Sequence, residues 1–148
     1  GCADAGDRQE KRKCAGMEKE NSMEDRYLFR AKRDDNGEWV EGFLFLVNDV
    51  PYILPHHNTG QPIHGDNLLS VSAEVQKDTI CRCTGYEGIY EKDIFQCDDE
   101  IYVIEWCDYS LSWEAQALGS SESISLGEFA PEDINVIGNE IDNPELLE

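Results

Sequence analysis

Three histidines in one short segment are the side chains of this sequence that most readily suggest chemistry. His56 and His57 are adjacent, and His64 follows within the proline- and glycine-rich residues 55–67. Imidazoles grouped in this way could bind a metal ion or act as a general base, so one hypothesis is a small metal-dependent hydrolase. No serine nucleophile motif accompanies them, and Asp66 is the carboxylate within the segment. We favour the alternative, in which they are loop histidines without a catalytic role.

Cysteines form the second candidate group. Cys81 and Cys83 would share one face of a strand, because alternate residues of a strand point to the same side. Together with Cys97, Cys107 and the histidines they could supply zinc ligands, but structural zinc sites usually use more widely spaced cysteine pairs. We interpret Cys81 and Cys83 as buried core thiols, since free cysteine packs as a small apolar side chain. All six cysteines are expected to be reduced, and no catalytic, cofactor or metal residue is assigned.

Basic residues are few and concentrated near the N-terminus. The 148 residues include 12 basic and 32 acidic side chains, which gives a net charge of −20. Arg26, Arg30, Lys32 and Arg33 lie in one segment, and a further hypothesis is a small-barrel nucleic-acid binder that uses them. Affinity for a phosphate backbone depends on cations, so the overall acidity disfavours nucleic acid as a partner. Aromatic side chains with acidic neighbours are interpreted as core rather than as a base-stacking platform: Trp39, Trp106, Tyr109 and Trp113.

The elements that would position these side chains are expected to form one domain, residues 23–148, because a chain of this length suits a single core. Residues 1–22 are polar and lack hydrophobic periodicity, which predicts an N-terminal tail. The codons of Lys19 and Glu20 could form a ribosome-binding site, so translation is expected to begin naturally at Met23; a native tail is the alternative. No apolar run approaches the roughly 20 residues of a membrane helix, and no secretory signal is seen, so we expect a cytoplasmic protein without a membrane partner.

Period-two alternation of apolar and polar residues predicts strands throughout the domain. Asn36-Gly37 predicts a tight hairpin because both residues tolerate a positive φ, and Asn48-Asp49 predicts a second turn. The uninterrupted apolar residues 43–47 predict a strand buried on both faces. Strands are predicted at residues 27–32, 39–47, 50–54, 69–75, 79–83, 93–97, 101–106, 111–118 and 134–137, with a short helical turn at 128–133. This pattern indicates a mainly β domain with little helix, either a small barrel or a sandwich.

Several short motifs resemble the YopX family, small proteins of phages and integrated elements. They are Arg30-Ala31-Lys32, Thr84-Gly85-Tyr86, Asp93-Ile94 and the closing Ile137-Gly138-Asn139 followed by Asn143-Pro144-Glu145-Leu146-Leu147. The resemblance covers roughly residues 26–147. It implies a mainly β, barrel-like fold and a homo-oligomer in a bacterial host. It implies no reaction and carries no catalytic residue to this chain.

Two departures from the family pattern concern the strand around residues 81–93. Members of the family usually have glycine before the Asp-Ile pair, where this chain has Lys92. If that glycine has a positive φ, Lys92 is strained there. Cys81 and Cys83 replace positions that usually hold glycine and an aromatic residue.

The combined interpretation is a phage- or prophage-associated protein without an enzyme signature. We expect a non-enzymatic module that binds a host or phage protein or assembles with itself. The metal-dependent hydrolase and the nucleic-acid binder are the alternatives.

Overall fold

The computed structural model describes residues 25–56 and 64–148. In these residues the chain forms two antiparallel sheets of five strands each, and both sheets are open rather than closed into a barrel. The prediction of a mainly β domain with little helix is confirmed. The tail predicted for residues 1–22 and the start expected at Met23 lie outside the described residues. None of the described helices is both long enough and apolar enough to cross a membrane.

The first sheet comes from the N-terminal half of the domain and the second sheet from the C-terminal half. The first contains β1 (Phe29–Lys32), β2 (Trp39–Val47), β3 (Val50–Pro55), β4 (Ala73–Glu74) and β5 (Cys81–Arg82), in the order β4-β3-β2-β1-β5. The second contains β6 (Asp93–Cys97), β7 (Glu100–Cys107), β8 (Ser112–Ala117), β9 (Ser123–Ser125) and β10 (Asn135–Asn139), in the order β10-β6-β7-β8-β9. The described helices are α1 (Leu68–Val71) and the 3-10 helices Lys77–Thr79, Leu126–Glu128, Pro131–Asp133 and Pro144–Leu147.

Two hairpins of the first sheet form where their turn residues predict them. Gly37 has a φ of 73°, and its N–H donates a hydrogen bond to the Arg33 carbonyl at 3.0 Å, which closes the turn between β1 and β2. Asn48 and Asp49 have φ values of 51° and 68°. Two consecutive left-handed residues match the twist of the flanking strands, so they join β2 directly to β3. Both turn predictions are confirmed.

The strand predicted at residues 69–75 is wrong. This segment forms α1 and then the two-residue β4, in which Ala73 pairs with Ile53 of β3. The Ser70 hydroxyl donates to the Asn67 carbonyl at 2.8 Å, a local bond within the helical turn. Such side-chain bonds to the backbone compete with extended structure. An alternating pattern of leucine, serine and valine therefore did not decide between helix and strand.

Smaller differences also arise from local hydrogen bonds and short elements. The strand predicted at 79–83 is shortened, because the Thr79 hydroxyl bonds to the Gln76 carbonyl at 2.7 Å and ends a 3-10 helix there. The helical turn predicted at 128–133 is divided between two 3-10 helices. β9 was not predicted, since Ile124 is its single apolar residue and gives no alternation.

The apolar residues 43–47 are not buried on both faces, contrary to the prediction. Leu44 packs against the first-sheet core, whereas Phe43, Leu46 and Val47 are 39%, 58% and 36% exposed. An apolar run is buried on both faces only where a second layer covers each face. These exposures show that the described residues leave this end of the β2–β3 hairpin partly uncovered.

Arg30 and Asp93 join the two sheets. The Arg30 guanidinium, on β1, forms an ion pair and a hydrogen bond with the Asp93 carboxylate, on β6. The same guanidinium lies 4.8 Å from the ring centroid of Trp39 and 4.8 Å from that of Tyr90. Burial raises the pKa of the Asp93 carboxyl, although the Arg30 charge opposes the shift. A carboxylate buried in this way depends on its cation.

The closing motif of the family resemblance forms a local cap at the C-terminus. Asn139 Oδ1 accepts hydrogen bonds from the N–H groups of Ile141 and Asp142 at 3.0 and 2.8 Å. Asn143 Oδ1 accepts a hydrogen bond from the Asn139 N–H at 3.2 Å. A Cβ atom on Gly138 would lie 2.6 Å from that Asn143 oxygen, so the close approach requires glycine.

Asp142 connects this cap to the first sheet. Its carboxylate accepts a hydrogen bond from Trp39 Nε1 at 2.7 Å and forms an ion pair with Lys32. These contacts lower the pKa of the Asp142 carboxyl, the hydrogen bond from Lys32 contributing most. The family motifs at both ends of the domain thus meet in one set of contacts between the sheets.

Lys92 has a φ of 71°, so the strain expected at this position is confirmed. Its N–H donates to the Ile104 carbonyl at 2.8 Å, and its carbonyl accepts a hydrogen bond from the Glu140 N–H at 2.9 Å. The backbone is therefore held in the left-handed conformation from both sides.

We expect Lys92→Gly to be more stable than Lys92→Ala by about 1 kcal/mol, because only alanine keeps a Cβ atom in the left-handed conformation. Both replacements remove the ammonium group, so their comparison isolates the backbone strain. Urea denaturation gives the two free energies of unfolding. Equal stabilities, or a more stable alanine variant, would contradict the prediction.

We expect Arg30→Met to lower the free energy of unfolding by about 3–5 kcal/mol at neutral pH, because Asp93 is left buried and charged. A second change, Asp93→Asn, should recover part of this loss, since the amide is neutral and still offers an acceptor to the Tyr90 N–H. The folded-state pKa of Asp93 is raised, so the deficit of Arg30→Met should shrink as the pH falls through that pKa. A double variant no more stable than Arg30→Met would show that the Asp93 charge is not the cause.

Candidate functional site

The histidines proposed for a metal or a base do not form a described site. The His56 ring makes an edge-to-face contact with Phe43, with centroids 6.0 Å apart. The backbone N–H of His64 donates a hydrogen bond to Asn67 Oδ1 at 2.7 Å. His57 lies outside the described residues, so the hydrolase hypothesis stays a prediction. Among the described His, Cys, Asp and Glu side chains, no group of three is placed to hold a metal ion.

Cys81 and Cys83 are buried in the cluster between the sheets, which confirms their interpretation as core thiols. Burial raises the pKa of both thiols to about 11, so neither is a thiolate at neutral pH. Cys107 is also a free thiol, and a hydrogen bond to the Ser110 side chain lowers its pKa. Cys97 differs from the expectation of reduced cysteines, because it is disulfide-bonded.

The basic residues near the N-terminus do not form one surface. Arg30 and Lys32 form the two ion pairs between the sheets, and Arg33 pairs with Asp35 at 2.9 Å. Arg26 lies apart from them, against the turn that contains Thr84-Gly85-Tyr86. The four residues therefore share no surface on which all of them could bind phosphates. The nucleic-acid hypothesis stays a prediction.

The four aromatic residues interpreted as core have different environments. Trp39 packs against the cluster between the sheets, as expected. Tyr109 is 100% exposed, so its interpretation as core is wrong; it lies in the loop between β7 and β8, where no strand face can bury it. Trp113 packs against the core of the second sheet, as expected, and it also lines an open groove. Trp106 is half-buried and lines the same groove.

This groove begins with the two tryptophans. Trp106 of β7 and Trp113 of β8 are directly opposed in the sheet, and their rings lie edge to face with centroids 5.2 Å apart. The Arg82 guanidinium lies 4.7 Å from the Trp106 ring centroid and 4.9 Å from that of Trp113. Arg82 belongs to β5, the edge strand of the first sheet. The two indoles of the second sheet therefore both contact one cation from the first sheet.

Arg26 forms another wall of the groove. Gly85 has a φ of 103°, and a Cβ atom there would lie 3.3 Å from Arg26 Cγ, so the arginine stem lies close above the turn. The groove has a volume of about 590 Å³. It is lined by Arg26, Thr84, Gly85, Tyr86, Trp106, Leu111, Ser112, Trp113, Ser125, Leu126 and Gly127.

A second depression adjoins the groove on the other side of the tryptophans. It has a volume of about 400 Å³ and is lined by Phe29, Arg82, Glu91, Trp106, Asp108 and Trp113. The two depressions share Trp106 and Trp113. We refer to both depressions together as the Trp106–Trp113 groove. It combines aromatic faces, guanidinium groups and, on one side, two carboxylates.

Leu111 on the rim of the groove has an unfavourable conformation for its residue type. Its φ is 54°, and its side chain is 72% exposed. A left-handed conformation costs a residue other than glycine of order 1 kcal/mol, and this leucine gains little burial in return. Backbone strain of this kind occurs at ligand clamps and switch regions, so this rim is a candidate contact surface.

A protein-family profile described as YopX protein matches residues 28–148, which is most of the chain. The chain belongs to the YopX family. No significant match is found among curated protein sequences or among solved structures. The YopX match spans both sheets, so the Trp106–Trp113 groove lies within the family domain apart from Arg26.

Sequence reasoning about this YopX domain missed two residues of the groove. Arg82 was not a candidate, because it is separated in sequence from the other basic residues. It lies between Cys81 and Cys83, whose burial on one face directs the intervening side chain to the opposite face. Leu111 was assigned to a strand, and no local signal in the sequence indicated its positive φ. The pairing of Trp106 with Trp113 could have been read from the predicted β7–β8 hairpin.

Proposed function

We propose that this YopX protein is a non-enzymatic interaction module that binds a partner protein through the Trp106–Trp113 groove. The observation that carries the proposal is the contact of the Arg82 guanidinium with two half-buried indoles beside the exposed rim residue Leu111. Tryptophan and arginine dominate the energetics of protein–protein contacts, because they offer large surfaces and ordered donors. The family resemblance favours a phage- or prophage-associated protein whose partner is a host or phage protein in the bacterial cytoplasm.

The composition of the groove supports binding rather than catalysis. Ser112 and Ser125 supply hydroxyl groups to its lining, and its lining within the described part of the chain includes no histidine that could act as their base. The two carboxylates of the adjoining depression, Glu91 and Asp108, lie beside Arg82 and the indoles. Aromatic faces and a held guanidinium recognise a ligand without changing it.

The strain at Leu111 supports a contact surface at the same place. Glycine adopts a positive φ without strain. Replacing Leu111 with glycine would therefore relieve the backbone strain, and it would expose no core residue. The leucine therefore contributes little to folding, and we propose that it contributes to binding by covering an apolar part of the partner.

This proposal predicts that Leu111→Gly stabilises the domain by about 1 kcal/mol and weakens partner binding roughly tenfold. The probe is a display library of short random peptides selected on the wild-type domain, followed by titration of the selected peptides. Urea denaturation measures the stability of the same variants. Leu69→Ala is the matched control, because it removes an exposed leucine outside the groove.

Selected peptides that bind the Leu111→Gly and wild-type domains equally would place the binding surface elsewhere. A library that yields no binding peptide at all would count against the interaction module.

We propose, as a second activity, that the protein assembles with itself through the outer face of the β2–β3 hairpin. Three directly opposed pairs of apolar side chains form this face: Phe43 and Leu54, Phe45 and Tyr52, and Val47 and Val50. Phe43 and Val47 are exposed, and the others are only partly buried. Between residues 42 and 55, Asp49 is the single charged side chain. A chain with a net charge of −20 repels its own copies elsewhere, so a second copy is best accommodated on this face.

Self-assembly predicts that Phe43→Lys lowers the molecular mass measured by sedimentation equilibrium. The added ammonium group would be desolvated in the contact between copies. Ile137→Lys is the matched control, because Ile137 has nearly the same exposure, 37% against 39%, on a different strand. A wild-type protein that is a monomer at all concentrations would refute the proposal, and a lower mass for Ile137→Lys alone would move the contact to β10.

A further inference from the structure

We infer that the Trp106–Trp113 groove recognises a peptide segment that carries a carboxylate next to an apolar side chain. This inference rests on the function proposed above and specifies the chemistry of its ligand. It is carried by the positions of Arg26 and Arg82, the two guanidinium groups that line the groove.

Neither guanidinium has a carboxylate partner among the described residues. The ion pairs within the part of the chain that the structure describes join Arg30 to Asp93, Lys32 to Asp142 and Arg33 to Asp35. In a protein with a net charge of −20, intramolecular partners for arginine are plentiful. Two arginines without such a partner, on the walls of one groove, leave donors for a carboxylate supplied by a ligand.

The surroundings of Arg82 favour the binding of such a ligand by its guanidinium donors. Its guanidinium is held 4.7 and 4.9 Å from two indole centroids, so little side-chain entropy remains to be lost when a ligand binds. Arg82 is partly buried, so its attraction to an anion is screened less than that of a fully exposed arginine. The same rings and Leu111 offer apolar surface to a neighbouring side chain of the peptide.

The charge of the whole protein favours a single carboxylate over a polyanion. Glu91 and Asp108 lie in the depression that adjoins Arg82, and the net charge is −20. A nucleic acid would bring many phosphates into this field, whereas its affinity requires many cations. A peptide can place one carboxylate on a guanidinium group of the groove and direct its other residues away from the acidic surface.

Arg26→Gln provides the cleanest test, because Arg26 is exposed and contacts the turn through its aliphatic stem. Peptides selected from the random display library are synthesised with each Asp or Glu and with the corresponding Asn or Gln. Their affinities are measured for the wild-type domain, for Arg26→Gln and for Arg33→Gln. Arg33→Gln is the matched control, since it makes the same change of net charge outside the groove.

We expect one acidic side chain of the peptide to be required, so that its amide counterpart binds the wild type roughly tenfold more weakly. This difference should shrink in Arg26→Gln and persist in Arg33→Gln, as a double-mutant cycle requires of a direct interaction. Arg82→Lys should also weaken the acidic peptide, because lysine keeps the charge but loses the planar contact with both indoles.

Each other outcome has a distinct meaning. A loss of affinity for Leu111→Gly would place a selected peptide in the groove, and such a peptide could still bind equally well after the amide replacement. That result would refute the requirement for a carboxylate and would leave the proposed interaction module unaffected. An absence of any groove-dependent peptide would refute the proposed function itself. Binding of single-stranded oligonucleotides that is lost in Arg26→Gln would replace the peptide with a nucleic-acid ligand.

Discussion

The Arg30 guanidinium and the Asp93 carboxylate hold the two sheets of this domain together, because Asp93 is buried and its charge is not stable there without the partly buried cation. The guanidinium also contacts the rings of Trp39 and Tyr90, so aromatic side chains flank the ion pair. A buried charge pair contributes less net stability than an apolar contact of equal size. It specifies instead one relative position of β1 and β6, since any displacement would leave a charge without a partner.

A second set of polar contacts repeats this arrangement at the C-terminus. The Asp142 carboxylate accepts a hydrogen bond from the indole N–H of Trp39 and forms an ion pair with Lys32. The Asn139 side chain accepts a hydrogen bond from the backbone N–H of Asp142. The residues that carry the YopX resemblance are therefore largely those that join the sheets and close the chain. This explains why the family motifs identify the fold without indicating a reaction.

The candidate groove lies where the same two sheets meet at a different edge. Arg82 of β5 reaches the indoles of β7 and β8, so the groove depends on the contacts that fix the sheets beside each other, the Arg30–Asp93 ion pair among them. Two strained residues in this part of the molecule differ in an instructive way. Lys92 is held at positive φ by hydrogen bonds on both sides, whereas Leu111 is exposed and gains little from its position. The strained backbone at Lys92 is part of the hydrogen-bonded fold, and we propose that the strained Leu111 contributes to binding.

Local features of the sequence determined much of the secondary structure. Asn36-Gly37 and Asn48-Asp49 placed two hairpins, since the tolerance of glycine, asparagine and aspartate for a positive φ is a local property; Gly37, Asn48 and Asp49 adopt it. Alternation placed β6 at the predicted residues 93–97, and the buried Cys81 and Cys83 followed from their shared face. The comparison of Lys92 with the usual glycine predicted its strained backbone.

Other properties were decided by tertiary structure alone. Arg26, Arg30 and Lys32 are neighbours of one chemical type, yet Arg30 pairs with the buried Asp93, Lys32 pairs with Asp142 and Arg26 lies on the groove. The apolar residues 43–47 became partly exposed because no described layer covers them. A local pattern specifies which side chains share a face, but burial and charge pairing depend on the distant residue that meets that face.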